Sequence, residues 1–445
     1  MLHIDEARRN LTFQLWLTAS LVGLLGTAFG AEQPRGWAEN WPQWRGPLAS
    51  GAAPLADPPL TWAEEHNVKW RVQVPGEGTS TPIVWGDRIF VLSAVESRRK
   101  AQATQTPTPD SKPAFQFTVF CLDRRDGKAL WKNVAREVAP HEGHHPDHGF
   151  ASASALTDGE VLLAYFGSRG LHCYDMEGKL RWSKEFNQMR TRNGFGEGSS
   201  PALYGDTIVI YQDDETDNDF IAGVDRRTGK ELWRTPRNEP TGWSTPLIVP
   251  YQGKSQAVVN ATGMVRSYDI ATGKEIWSCA GQTQNPIPSP VCDADTVYIT
   301  SGFRGSALYA IALGRTGELT GTDAIRWSRS KNTPYVPSPL LVDQLLYTVT
   351  GNNPTISCVD SRTGAPHFEA ERVDGINGIY ASPVAAKGRV YILGRNGTCV
   401  VLKAGPKPEI LATNKLSDKT DSSIALAGRD LLIRGHQNLY CISEK

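Results

Sequence analysis

Charge of either sign in excess is the first thing this sequence lacks: 47 Lys and Arg stand against 47 Asp and Glu, a formal net charge of zero. A protein that grips nucleic acid along a broad face needs a cationic surplus to displace counterions, so nucleic acid is not an expected partner. After the first thirty residues there is no apolar run of membrane-spanning length. Cysteine is sparse, seven in 445 residues and an odd number, and no two are spaced as C-x-x-C. Neither a disulfide framework nor a zinc site is indicated. Disorder is excluded as well, because 40% hydrophobic and 21% charged residues are ordinary globular values. What the chain does have is 42 Gly, 29 Pro and 13 Trp spread along its length, a composition of many turns and short strands.

The amino terminus reads as an export segment over residues 1–30. Arg8 and Arg9 precede an apolar run from Leu11 to Leu25, and Ala28-Phe29-Gly30 is a small-x-small cleavage site before Ala31. The alternative is an uncleaved anchor, since Leu11 to Phe29 is 19 residues. Thr12, Gln14, Thr18 and Ser20 dilute that run and favour cleavage. The expected product is an exported protein, periplasmic or secreted, peripheral to a membrane at most unless the segment is retained.

A repeat fills residues 68–445, preceded by a lead-in over residues 31–67. Its first landmark is a hydroxyl residue, usually before Pro, at Thr81, Ser154, Ser200, Thr245, Ser289, Ser338, Ser382 and Ser423. The successive separations are 73, 46, 45, 44, 49, 44 and 41 residues. Only the first is abnormal, and the polar stretch Ser97 to Gln116 predicts a long surface loop inside the first unit. The second landmark is a turn that leads into an aromatic strand: Asp123 to Trp131, Asp225 to Trp233 and Asp269 to Trp277, with decayed copies ending at Trp182, Trp327 and Phe368. Asp accepts bonds from the turn amides, Gly supplies positive φ, and Trp lays an apolar ring between one sheet and the next. Cys121, Cys173 and Cys358 each stand two residues before such an Asp, and Cys399 and Cys441 occupy the matching strand later. Equivalent positions in different units are too far apart to pair, so these are expected to be small buried strand residues.

Four antiparallel strands every 40–50 residues are the signature of a β-propeller. Eight hydroxyl landmarks predict eight four-stranded blades. After Ser423 only three strands remain, while Val68-Lys69-Trp70-Arg71 is an aromatic strand without a unit of its own. Closure of the ring by that amino-terminal strand in the last blade leaves no open edge. The expectation is therefore an all-β, eight-bladed propeller.

The copies Asp-x-x-Thr-Gly-Lys-x-x-Trp at Asp225–Trp233 and Asp269–Trp277 resemble the tryptophan-docking repeat of the pyrroloquinoline-quinone (PQQ) propeller superfamily. The resemblance covers residues 68–445, and Trp41-Pro42-Gln43-Trp44-Arg45-Gly46-Pro47 looks like the lead-in of exported proteins with that repeat. One branch of the superfamily, the BamB-like one, is non-enzymatic and implies a protein or cell-envelope partner without a cofactor. The other holds the quinoprotein dehydrogenases and implies PQQ with Ca²⁺ and oxidation of alcohols or sugars. That branch typically carries an adjacent cysteine pair; here the closest are Cys279 and Cys292, thirteen apart, and no Glu, Asn and Asp cage falls at matching positions. The sequence therefore reads closer to the BamB-like branch. It lacks that branch's lipid-attachment Cys, because no cysteine precedes Cys121.

Chemistry has few candidate seats. His141, His144, His145 and His148 lie within eight residues, ligand types for Zn²⁺, Cu²⁺ or Ni²⁺, although a solvated loop explains them as well. The run Asp213 to Asp219 offers oxygen ligands but not the EF-hand spacing, and reads as a charged hairpin loop. Alignment of the units places Glu77, Glu197, Trp243, Tyr335 and Tyr380 just before inner strands, at one mouth of the channel, where propellers commonly bind ligands. No catalytic residues are assigned. The reading is an exported, non-catalytic propeller that binds through its loops and channel mouth, with a quinoprotein oxidoreductase as the alternative.

Overall fold

The computed structural model describes residues 33–97 and 113–444; the predicted export segment and most of the predicted loop after Ser97 lie outside them. Eight sheets form a ring, and among the described residues helix is confined to two single 3₁₀ turns, Gly167–Arg169 and Arg192–Gly194. Among the described residues no helix is long and apolar enough to cross a membrane. Each blade is a four-stranded antiparallel meander; the third, for example, runs Ala202–Tyr204, Thr207–Gln212, Phe220–Asp225 and Glu231–Pro236. The eighth consists of Ala425–Ala427, Asp430–Arg434 and Asn438–Ile442, completed by Val68–Gln73. Val68–Gln73 pairs antiparallel with the last strand, Arg71 opposite Tyr440, so the ring closes as the unpaired aromatic strand required.

The turn landmarks explain how blades adhere. Asp225 Oδ1 accepts from Arg227 N at 3.1 Å and Thr228 N at 2.7 Å, and Asp360 takes the same bonds from Arg362 and Thr363. Gly229 follows at φ +71°, and the ring of Trp182 from the preceding blade lies so close that a Cβ there would sit 2.6 Å from it. Trp182 Nε1 meanwhile donates to the Arg226 carbonyl at 2.9 Å. Trp70, Trp131, Trp233 and Trp327 dock on the next blade in the same way. Trp277 differs. Its Nε1 bonds Gln256 within its own blade, because Gly317–Glu318 adds a parallel fifth strand beside it and covers the seam.

The hydroxyl landmarks have an equally specific task. Thr81 N donates to Ser154 Oγ, Ser154 N to Ser200 Oγ, and so on through Ser382 N to Ser423 Oγ, at 2.9–3.1 Å. Seven seams are thus bridged around the channel. The eighth, between the last blade and the first, is bridged by buried Arg434, whose guanidinium donates to Ser80 Oγ at 2.5 Å and Leu92 O at 2.6 Å. Burial without a carboxylate partner lowers its pKa to about 9. The five strand cysteines are buried in third strands, and all seven thiols are free. Burial pushes Cys121, Cys173 and Cys358 up to about 12, well away from the reactive thiolate range.

Candidate functional site

The lead-in decides which face of the ring is open. Trp41 bridges to Val84, Pro42 O accepts from Thr157 N at 2.9 Å, Ala52 bridges to Ala385, and Asp57 N donates to Gly428 O at 2.8 Å. The segment therefore crosses the far ends of inner strands from the first, second, seventh and eighth blades. At its centre Arg45 is 1% exposed and donates to the carbonyls of Pro383, Pro339 and Ser50 at 2.7–3.0 Å. Those carbonyls solvate the charge in place of an acid, and burial still lowers the Arg45 pKa to about 9. Beside it, Trp44 Nε1 donates to Ser289 Oγ at 3.1 Å and fixes the indole across the channel.

Above Trp44 lies a cup of about 220 Å³. Trp243, Tyr335, Tyr380 and Phe195 contribute aromatic walls, and six ring hydroxyls, from Ser200 to Ser423, line its lower part. Two wall plates are held rigidly: Trp243 Nε1 donates to Gly196 O at 2.7 Å, and Tyr335 stacks on Phe303 with centroids 4.9 Å apart. A polar network occupies the opposite wall. Arg395 Nη2 donates to Asp147 Oδ1 at 2.7 Å and its Nε to Asp421 Oδ1 at 2.6 Å, while Tyr380 OH donates to Asp147 Oδ2 at 2.9 Å. His436 Nε2 lies 2.8 Å from Asp421 Oδ2, and the Arg395 guanidinium stands 4.1 Å over the Tyr380 ring. The Arg395 bond holds Asp147 below the ordinary carboxylate range, burial and Asp147 push Tyr380 up to about 12, and the Asp421 bond raises His436.

The predicted mouth residues divide. Trp243, Tyr335 and Tyr380 line the cup together. Glu77 does not; its side chain is 66% exposed and its Oε2 lies 3.9 Å from His144 Nε2. Glu197 turns away into the blade, where Ser168 N and Arg169 Nη1 each donate to it at 2.5 Å. Burial raises its pKa against the opposing charge of Arg169. The reason is packing: Glu197 compensates Arg169, which stacks near Phe117 and Phe150.

The four histidines do not converge on one point. His145 and His148 line the cup with rings 6.3 Å apart, whereas His144 packs edge-on to Phe150. His148 Nδ1 sits 2.9 Å from Ser152 Oγ, and burial lowers its pKa. His141 instead joins Glu142 and Glu197, with one ligand atom of each within 4.8 Å of the others. Protein donors already occupy those carboxylates, Thr191 on Glu142 and Ser168 with Arg169 on Glu197. The acidic run is the hairpin loop between Thr207–Gln212 and Phe220–Asp225, as read, but its ends are buried and bonded. Asp213 is fully buried in a two-pronged pair with Arg237 at 2.6 and 2.8 Å, and Asp214 and Asp219 cap backbone amides.

Sequence reasoning missed Trp44, Asp147, Asp421, Arg395 and His436. Trp44 belonged to a visible motif, but nothing in the motif says that it lies under the channel. The others come from loops up to 248 residues apart and carry no shared pattern.

The ring of eight blades, five of whose seams carry a docked tryptophan, defines the class, a PQQ-repeat propeller. Within it, the family described as "Outer membrane protein assembly factor BamB" matches residues 116–369, and the chain belongs to that family. No curated protein matches in sequence. Among solved structures, BamB from Moraxella catarrhalis shares 14% identity with a TM-score of 0.52, over 80% of this chain and 100% of its own. The quinohemoprotein alcohol dehydrogenase of Comamonas testosteroni shares 10% with a TM-score of 0.60, over 94% and 84%. A europium-containing methanol dehydrogenase shares 9% with a TM-score of 0.62, over 92% and 98%. At these identities the likeness is one of fold.

Proposed function

We propose that this chain is an exported, non-catalytic propeller that binds a cell-envelope partner through its loops and the cup. The observation that carries the reading is the cup itself. It is closed beneath by Trp44 and Arg45, walled by aromatic rings, and its two carboxylates are already engaged by Arg395, Tyr380 and His436. Such a site suits a group inserted from one face and held between aromatic rings, hydroxyls and an already paired polar wall. The export half of the reading rests on Arg8, Arg9 and the apolar run that follows them.

The quinoprotein alternative draws support from the two dehydrogenase folds, but the residues do not fit PQQ. Asp147 and Asp421 share one guanidinium, whose fixed positive charge opposes a divalent cation at the same oxygens. Neither Cys279 nor Cys292 lines the cup.

The test pairs two measurements on the full chain. Crosslinking from the Tyr335 position in envelope preparations is expected to yield a defined adduct, lost in a Tyr380→Leu background. Addition of PQQ and Ca²⁺ is expected to produce neither a quinone absorbance band nor dye reduction with alcohols or sugars. Appearance of both signals would overturn the binding reading in favour of the oxidoreductase.

A further inference from the structure

The ring hydroxyls do more than join blades. A Ser or Thr hydroxyl has one hydrogen to donate and two lone pairs to accept with. Ser200, Thr245, Ser338, Ser382 and Ser423 each accept a backbone N–H from the neighbouring blade, and Ser289 accepts both Thr245 N and Trp44 Nε1. Among the described residues no side chain or carbonyl accepts the hydrogens of these six hydroxyls, and all six line the cup. The lower cup therefore presents a circle of hydroxyls, each with a hydrogen to donate and all but Ser289 with a lone pair to spare.

The wall above offers acceptors. Each oxygen of Asp147 and Asp421 accepts one principal bond, from Arg395, Tyr380 or His436, and a carboxylate oxygen has capacity for a second. The formal charges oppose one another, two carboxylates against Arg395 and, when protonated, His436, His145 and His148. A cation would use only acceptors and an anion only donors, whereas the cup places both kinds side by side. An occupant that is neutral, both donates and accepts at several points, and shows an apolar face to Trp44, Trp243 and Tyr335 satisfies all of them.

From this balance we infer that the cup binds a single hexopyranose unit of an envelope saccharide. A sugar ring has C–H faces that lie on aromatic plates and a rim of hydroxyls that donate and accept. The volume of about 220 Å³ has room for one such ring. Binding involves no redox step. The inference rests on the reading of the cup as the ligand site and names the chemistry of that ligand.

The experiment titrates the full chain with D-glucose, D-galactose, D-mannose and N-acetyl-D-glucosamine. The same sugars are then offered as non-reducing ends of soluble oligosaccharides, with tetramethylammonium chloride and sodium acetate as charged comparators. Tryptophan fluorescence and calorimetry are read in parallel. At least one neutral sugar is expected to perturb the fluorescence, with its dissociation constant raised at least tenfold in Tyr335→Leu and in Asp147→Asn and unchanged in Lys128→Ala. Tighter binding of the oligosaccharide than of the free sugar identifies a glycan end as the source; equal binding identifies the free monosaccharide and overturns the envelope part. Binding of a charged comparator alone, sensitive to Tyr335→Leu, overturns the sugar inference and leaves the cup as a ligand site. Failure of every probe, together with crosslinking that Tyr380→Leu does not reduce, overturns both. Circular dichroism of each variant separates lost binding from lost fold.

Discussion

Gly229 shows how much a single residue of the repeat carries. Its φ of +71° lies in the left-handed region, and the Trp182 ring occupies the space a Cβ would need. Gly229→Ala therefore meets strain and a clash with a neighbour that cannot retreat, since Trp182 is itself bonded to Arg226 O. The expected loss is about 2–4 kcal/mol in a denaturant titration. His148 gives a prediction in pH. Burial depresses its folded pKa below the ordinary value near 6.5, so the unfolded chain binds the extra proton first. Stability is complete above that value and is lost as pH falls through the window beneath it. His148→Gln is expected to flatten the slope of unfolding free energy against pH there, and an unchanged slope would remove His148 as its source.

At the scale of the element, the lead-in behaves as part of the propeller. Arg45 ties two inner strands to the segment through backbone carbonyls that have no water to turn to. Arg45→Met fills similar volume but leaves those carbonyls short of a donor, at about 1–3 kcal/mol each for a buried polar group. A fall in stability of about 3 kcal/mol is expected, with collisional quenching of Trp44 enhanced as the floor loosens. The Trp-to-Gly docking was legible in the sequence because both partners recur at fixed offsets. Trp277 was legible as an outer-strand residue only. Its different partner follows from the Gly317–Glu318 insertion, which breaks the spacing of the next turn.

For the whole molecule the decisive bond is the closure. Val68–Gln73 supplies the outer strand of the eighth blade, and buried Arg434 bridges its seam with the first. Removal of residues 1–73 exposes the edge of Asn438–Ile442, and exposed edges recruit strands from other chains. Self-association by size-exclusion chromatography and loss of a single cooperative unfolding transition are expected. A monomer with wild-type cooperativity would show that the ring does not depend on this strand.

The sequence by itself determined the blade count, the strand positions, the turns and the closure, because these depend on contacts repeated every 40–50 residues and written again in each unit. It also marked Trp243, Tyr335 and Tyr380 as neighbours, since the repeat aligns the starts of inner strands. Only the tertiary structure decided what the cup contains. The lead-in swings beneath the ring to set Trp44 as a floor, Glu197 turns inward to neutralise Arg169, and Asp147 meets Arg395 across 248 residues of chain. Those contacts join loops that do not repeat, so their partners are chosen by shape and charge once the ring has closed.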